Sequence, residues 1–136
     1  DVPVGLAVDG SASNDGSNLL EELRVAFLLH RLNSSSHAPS GYDILKIATN
    51  GSAKILGRND IGSLAVGKAG DMFLIRRDRL DLDVKSMLGT VGLKSSVDYT
   101  IVNGKIVVEN GHLVNIDEEK FISEARKSVT DYLSRS

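Results

Sequence analysis

The chain contains no cysteine, which excludes disulfide scaffolds, thiolate nucleophiles and the zinc nucleobase deaminases that hold their metal through Cys-x-x-Cys. No apolar run approaches the ~20 residues that cross a bilayer, and no signal-peptide pattern is present. A phosphate-binding stripe is also missing. Arg76, Arg77 and Arg79 alternate with Asp78, Asp81 and Asp83, and 16 basic against 18 acidic side chains leave a formal net charge of −2. That mixture reads as a solvated surface, so neither a nucleic acid nor a membrane is expected as a partner. The three histidines, His30, His37 and His112, include no pair separated by one residue, so no metal-binding histidine pair can form within the chain. A starting methionine is lacking too. Asp1 runs directly into Val2-Pro3-Val4, which reads as a truncated or processed start.

What remains is ordinary soluble composition over 136 residues, with 41% hydrophobic and 25% charged side chains, enough for one domain with a core and compatible with a cytoplasmic location. Pro3 to Val8 is a short apolar run ending at Asp9-Gly10, the pattern of a strand buried on both faces in a parallel sheet or barrel. The turn-rich Ser11 to Ser17 follows. Asn18 and Glu21 then form a capping box for a helix carrying Leu19, Leu23, Phe27 and His30 on one face. A second helix begins at Ser40, with Asp43 three residues on. Its stripe Ile44, Ile47, Ala48, Gly51 and Ile55 ends at Gly57, a favoured residue just past a helix end.

Beyond Arg58 the period changes from helix to sheet. Gly62 to Ile75 reads as strand, glycine turn, strand. Asn103-Gly104 and Asn110-Gly111 are type I′ hairpin signatures, predicting a meander of Tyr99–Val102, Lys105–Val108 and His112–Val114. The stretch 77–97 reads as loop, with one helical turn near Lys85 to Leu88. Asp117 caps a closing helix from about Glu118, whose stripe Phe121, Ala125, Val129 and Tyr132 requires a docking partner. No internal repeat is visible.

An acid at the carboxyl end of a buried parallel strand, followed by a polar loop and a helix, occupies the position where α/β barrels carry catalytic groups. Position alone favours an ordinary turn residue for Asp9. The wording of the segment goes further. Val8-Asp9-Gly10-Ser11-Ala12-Ser13-Asn14-Asp15 with Asn18 to Arg24, Gly57-Arg58, Asp60 to Leu64, Gly67 to Asp71, Val102 to Lys105 and Val107 to Gly111 resembles the C-terminal portion of the amidohydrolase superfamily. The branch is the one that includes 8-oxoguanine deaminase, guanine deaminase, S-adenosylhomocysteine deaminase and the triazine hydrolases. Gly10 to Asn14, Asn18 to Arg24 and Val97 to Asn103 look most like the 8-oxoguanine deaminases. Two positions depart from the pattern: Gly70, where Ala is usual, and Ser52, where a second Gly is common.

The resemblance implies an α/β fold comprising the last strand–helix units of a (β/α)8 TIM-like barrel over 1–58, part of a composite β-sandwich over 59–116 and a C-terminal helix over 117–136. It implies a metal-dependent hydrolase of C–N bonds in cyclic amidines, acting on a purine-like aminated heterocycle such as 8-oxoguanine, with a triazine as the alternative substrate. Asp9 is then a catalytic and metal-binding carboxylate, Ser11 and Ser13 are substrate contacts or simple loop hydroxyls, and the metal is zinc or iron. The other metal ligands of the family, a His-x-His pair, further single histidines and a catalytic Glu, have no counterpart here. Asp9 therefore belongs to a site completed by upstream sequence, the polypeptide alone is expected to be inactive, and the complete enzyme is expected to be a homo-oligomer. A sandwich finished from both chain ends predicts an exposed edge near Ser63 to Val66 or Val97 to Val102. A reading from another class, a non-catalytic β-sandwich binding or assembly module, would account for the meander but not for an unpartnered parallel-type strand.

Overall fold

A computed structural model describes residues 2–33, 36–76 and 97–135. The expected turn near Lys85 to Leu88 lies outside the described residues. Helix α1, Leu19–Asn33, is followed by α2, Gly41–Lys46, a π-helical turn Ile47–Gly51 and α3, Ser52–Ile55. Four short strands follow: β1 Met72–Leu74, β2 Tyr99–Val102, β3 Lys105–Glu109 and β4 His112–Leu113. Helix α4, Glu118–Leu133, closes the chain. None of the described helices is long and apolar enough to cross a membrane.

The helix starts follow their capping chemistry. Ser40 Oγ accepts the Asp43 N–H while the Asp43 carboxylate accepts the Ser40 N–H, a complete capping box. Lys46 closes on the same carboxylate at 2.7 Å, and these bonds, led by the one from Lys46, lower the Asp43 pKa to about 2. Asp117 accepts the Lys120 N–H at the start of α4. At the far end of α3, Gly57 adopts φ 66, and the bonds Arg58 N–H to Ala53 O and Gly57 N–H to Lys54 O form the Schellman-type stop expected of a glycine there.

Between α2 and α3 the helix departs from a regular stripe. The π turn adds a residue to the winding, so the buried positions are Gly41, Ile44 and Ala53, while Ile55, predicted to lie on the same face, is exposed. The cause lies in what packs against it. Residues 4–6 run along the helix at 51–55, where Ser52 Oγ accepts the Leu6 N–H at 3.2 Å and donates to the Leu6 carbonyl at 3.4 Å. A Cβ on Gly51 would collide with the Val4 carbonyl, and one on Gly5 would come within 2.9 Å of Ile55 Cδ1 and Ser52 Oγ. The two backbones touch because both glycines lack a side chain.

The predicted strand at Pro3 to Val8 forms no ladder among the described residues; one side rests on the helix and Val2 and Val4 are exposed. The expected strand at Ser63 to Val66 is absent as well. Lys68 Nζ donates to Ser63 Oγ at 2.7 Å, Lys68 N–H to Ala65 O and Ala69 N–H to Asp60 O, so the segment closes into local turns.

The sheet is antiparallel in the order β1-β2-β3-β4. Both hairpin turns carry the positive φ of type I′ geometry, at Asn103 (49°) and Gly104 (75°) and at Asn110 (51°) and Gly111 (82°). Met72 pairs Ile101 and Leu74 pairs Tyr99, while Ile101 pairs Ile106 and Thr100 pairs Val108, leaving Val107 as a bulge. The edge expected at Val97 to Val102 is therefore wrong in its strand portion, because β1 occupies one side of β2 and β3 the other. The outer strands are β1 and β4.

Burial is slight. Leu23, Ile44 and Ala53 are the buried apolar side chains among the described residues, where α1 packs on α2 and the loop at Gly62 closes on Ala53. Val25, Leu28, Leu29 and Leu32 on α1 and Phe121, Val129 and Tyr132 on α4 are exposed. The docking partner required by the α4 stripe is not found among the described residues.

Gly51→Ala is expected to destabilise the chain by about 1–3 kcal/mol in urea unfolding, the usual cost of forcing atoms into a packed contact. Gly10→Ala, where a Cβ meets nothing within 4 Å, serves as the neutral control. For Asp43 the folded pKa, about 2, lies below the ordinary carboxylate value, so its contribution is complete above about pH 4 and disappears as pH falls through about 2. Amide exchange at 41–46 should accelerate across that window, and Asp43→Asn should remove the step.

Candidate functional site

The loop following residues 2–8 is bracketed by two non-glycine residues in left-handed backbone, Asp9 at φ 65 and Ser17 at φ 43. Left-handed backbone suits the Asn residues of the hairpins. Asp9 lies outside any hairpin, and an L-residue held there costs on the order of 1 kcal/mol. Its side chain is exposed, and Oδ1 accepts the adjacent Gly10 N–H at 2.6 Å. Oδ2 makes no hydrogen bond to the described residues.

The loop folds onto itself rather than onto Asp9. Ser13 N–H and Asn14 N–H both donate to Gly10 O, at 2.8 and 3.0 Å. Asn14 Nδ2 donates to Val8 O at 2.9 Å and to Glu22 Oε1 at 2.8 Å, and Asn14 Oδ1 accepts the Gly16 N–H at 3.0 Å. At the helix start Asn18 Oδ1 accepts the Leu20 N–H, while Asn18 Nδ2 bonds the Glu21 carboxylate, a variant of the expected capping box in which side chain meets side chain. Ser11 and Ser13 are exposed, and neither hydroxyl bonds Asp9 or any other described residue.

The histidines stand apart. His30 is exposed on α1, His37 Nδ1 lies 2.9 Å from Ser36 Oγ, and His112 Nδ1 donates to Glu118 Oε2 at 3.0 Å. The last contact, with the Leu113 N–H on the other oxygen, lowers the Glu118 pKa and ties β4 to the start of α4. Among the described residues no three His, Asp or Glu side chains cluster as metal ligands. Asp9, with one uncommitted oxygen, fits a divalent cation as a single ligand of a shared site. It does not fit as a site by itself, since catalytic zinc sites typically use about three protein ligands.

Two apolar clefts separate the helices from the sheet. One, of about 660 Å3, is lined by Leu19, Leu23, Leu45, Phe73 and Val108; the other, of about 520 Å3, is lined by Ala53, Leu56, Met72 and Ile101. Neither includes Asp9, Ser11 or Ser13, so the site residues lie on an open loop outside both clefts.

The roles of Asn14, Glu22 and Ser52 have no local signal in the sequence. Asn14-Asp15-Gly16 signalled a turn, but its bonds to Val8 and Glu22 span six and eight residues and carry no local signature. Ser52 departs from the family pattern, and its hydroxyl bridges the helix to Leu6.

If Asp9 is held in left-handed backbone for its carboxylate rather than for packing, Asp9→Gly should leave stability unchanged or raise it by about 1 kcal/mol. Thermal unfolding reads this directly, and a clear loss of stability would mean that the Asp9 side chain is structural.

The amidohydrolase family model matches residues 1–107. The chain is 50% identical over 132 residues to 8-oxoguanine deaminase from Pseudomonas aeruginosa, covering 94% of this chain and 29% of that enzyme. It is 44% identical over 125 residues to hydroxydechloroatrazine ethylaminohydrolase from a Pseudomonas species, covering 86% and 26%. Among solved structures it superposes with TM-score 0.83 on a zinc-complexed atrazine chlorohydrolase from Arthrobacter aurescens, at 38% identity and covering 93% of this chain and 29% of that one. An adenosine deaminase from Xanthomonas campestris with bound zinc gives 0.84 at 27% identity. The chain thus spans less than a third of the length of these proteins, which are TIM-barrel hydrolases and deaminases of heterocycles. The α/β architecture with its antiparallel sheet is a portion of that larger fold, and this chain belongs to the amidohydrolase family.

Proposed function

We propose that the chain supplies one carboxylate, Asp9, to the active site of a metal-dependent aminohydrolase that deaminates a cyclic aminated heterocycle. One observation carries the reading: Asp9 is held in left-handed backbone at the mouth of a self-tied loop, exposed and with one oxygen uncommitted. Strain of this kind concentrates at functional positions. A purine-like substrate, 8-oxoguanine in particular, is supported by the 50% identity to the Pseudomonas aeruginosa enzyme. A triazine-type substrate is the second reading, supported by the 44% identity and the 0.83 superposition. Family membership argues against a free-standing binding module.

The reaction breaks the exocyclic C–N bond between a ring carbon and its amino group and forms C–O at that carbon, with water consumed and ammonia released. When bound, a divalent metal acidifies water for attack at neutral pH. Asp9 takes the proton from the attacking water and returns it to the departing amine, work suited to an exposed carboxylate within hydrogen-bond reach. The hydroxyls of Ser11 and Ser13 make no hydrogen bond to the described residues and are available to the heterocycle. Zinc rather than iron is supported by the zinc in the two solved relatives. The remaining ligands come from residues outside 1–136, with 1–58 as the end of the barrel, 59–116 as part of a β-sandwich and 117–136 as the closing helix. Homo-oligomerisation and a cytoplasmic setting complete the reading.

The test follows ammonia release from 8-oxoguanine and from an aminated triazine. The polypeptide 1–136 with zinc should give no turnover. In the complete enzyme Asp9→Asn should lower kcat at least 100-fold, the lower bound usual for losing a positioned acid–base group. Robust turnover by 1–136 alone, or by the Asp9→Asn enzyme, would overturn the proposal.

A further inference from the structure

The Asn14 amide is pinned at three points, and the way it is pinned bears on Asp9. The carbonyl oxygen it holds, Val8 O at 2.9 Å, belongs to the peptide unit joining Val8 to Asp9. Fixing that oxygen fixes the peptide plane and therefore the axis about which Asp9 takes φ 65. The second amide hydrogen goes to Glu22 Oε1 at 2.8 Å, and Glu22 lies in the first turn of α1, where a carboxylate is favoured by the helix dipole and its backbone is rigid. Gly16 N–H on Asn14 Oδ1, at 3.0 Å, holds the amide in the orientation that presents both hydrogens. The chain of bonds runs from a rigid helix, through one planar group, to the peptide bond carrying the proposed acid–base residue. A residue in a sparsely populated backbone well stays there only while its surroundings over-determine it, and the Asp9 side chain contributes a single bond to its own neighbour.

Resting on the reading of Asp9 given above, we infer that Asn14 and Glu22 are positioning residues that hold the Asp9 carboxylate in register for metal and substrate. Neither touches the reacting atoms. Both act through the Val8–Asp9 peptide. The chemistry is asymmetric: Asn14 must donate twice, whereas Glu22 needs only an acceptor oxygen. Gln therefore substitutes for Glu22, while Asp cannot substitute for Asn14, because it would set acceptor against acceptor at both Val8 O and Glu22.

In the complete zinc-loaded enzyme, Asn14→Ala and Glu22→Ala should each lower kcat roughly 10- to 100-fold and weaken zinc retention against a chelator by a similar factor, the range usual for residues that orient a metal ligand. KM should change by less than about threefold, and Glu22→Gln should recover near wild-type values. The melting temperature of the metal-free protein separates positioning from folding and should not move. Wild-type kcat and zinc retention in Asn14→Ala would overturn the inference, as would a metal-free melting temperature that falls in step with activity. Asp9→Asn is measured alongside. Full turnover by that variant removes the reading of Asp9 and this inference with it, whereas an inactive Asp9→Asn beside a fully active Asn14→Ala overturns the positioning role alone.

Discussion

The contact on which the rest of the described structure depends is the approach of residues 4–6 to the helix at 51–55. Two backbones come together there because Gly5 and Gly51 carry no Cβ, and a single hydroxyl, Ser52 Oγ, satisfies both the N–H and the carbonyl of Leu6. A segment with no ladder partner would otherwise leave its polar groups to solvent. That contact anchors the run that ends at Asp9, and the Asn14 amide then governs how the chain leaves it. Where the segment lies against the helix and how the chain leaves it are thus set by Ser52 and Asn14, residues more than 35 positions apart.

What could be read directly from sequence was local in its physics. Asn103-Gly104 and Asn110-Gly111 demand positive φ at consecutive residues, and the tight hairpins follow from that demand alone. Ser40 with Asp43 and Asp117 ahead of α4 are capping signals complete within four residues. The family likeness in Val8 to Arg24 singles out Asp9 as a candidate, and the comparisons support the family while leaving the roles of Asp9, Ser11 and Ser13 to experiment.

What escaped was set by distant partners. Ser63 to Val66 has the composition of a strand, but Lys68 and Ala69 draw the segment into turns. The β1–β2 pairing joins residues nearly thirty positions apart, and no periodicity in either strand announces it. Asp9 as an outlier in backbone conformation was equally hidden, because an Asp-Gly dipeptide reads as a turn and left the conformation of Asp9 itself open.

The π turn at Ile47–Gly51 changes how the helix it interrupts can be regarded. A regular helix offers one stripe, and every residue on it inherits the same phase. With one residue inserted into the winding, the two halves are phased independently: Ile44 meets α1, while Ala53 and Ser52 meet the Gly62 loop and Leu6. The element behaves as two short helices sharing an axis. Deleting a single residue from 47–51 would restore regular winding at the expense of one of these two faces, so this stretch is length-critical even though none of its side chains is fully buried.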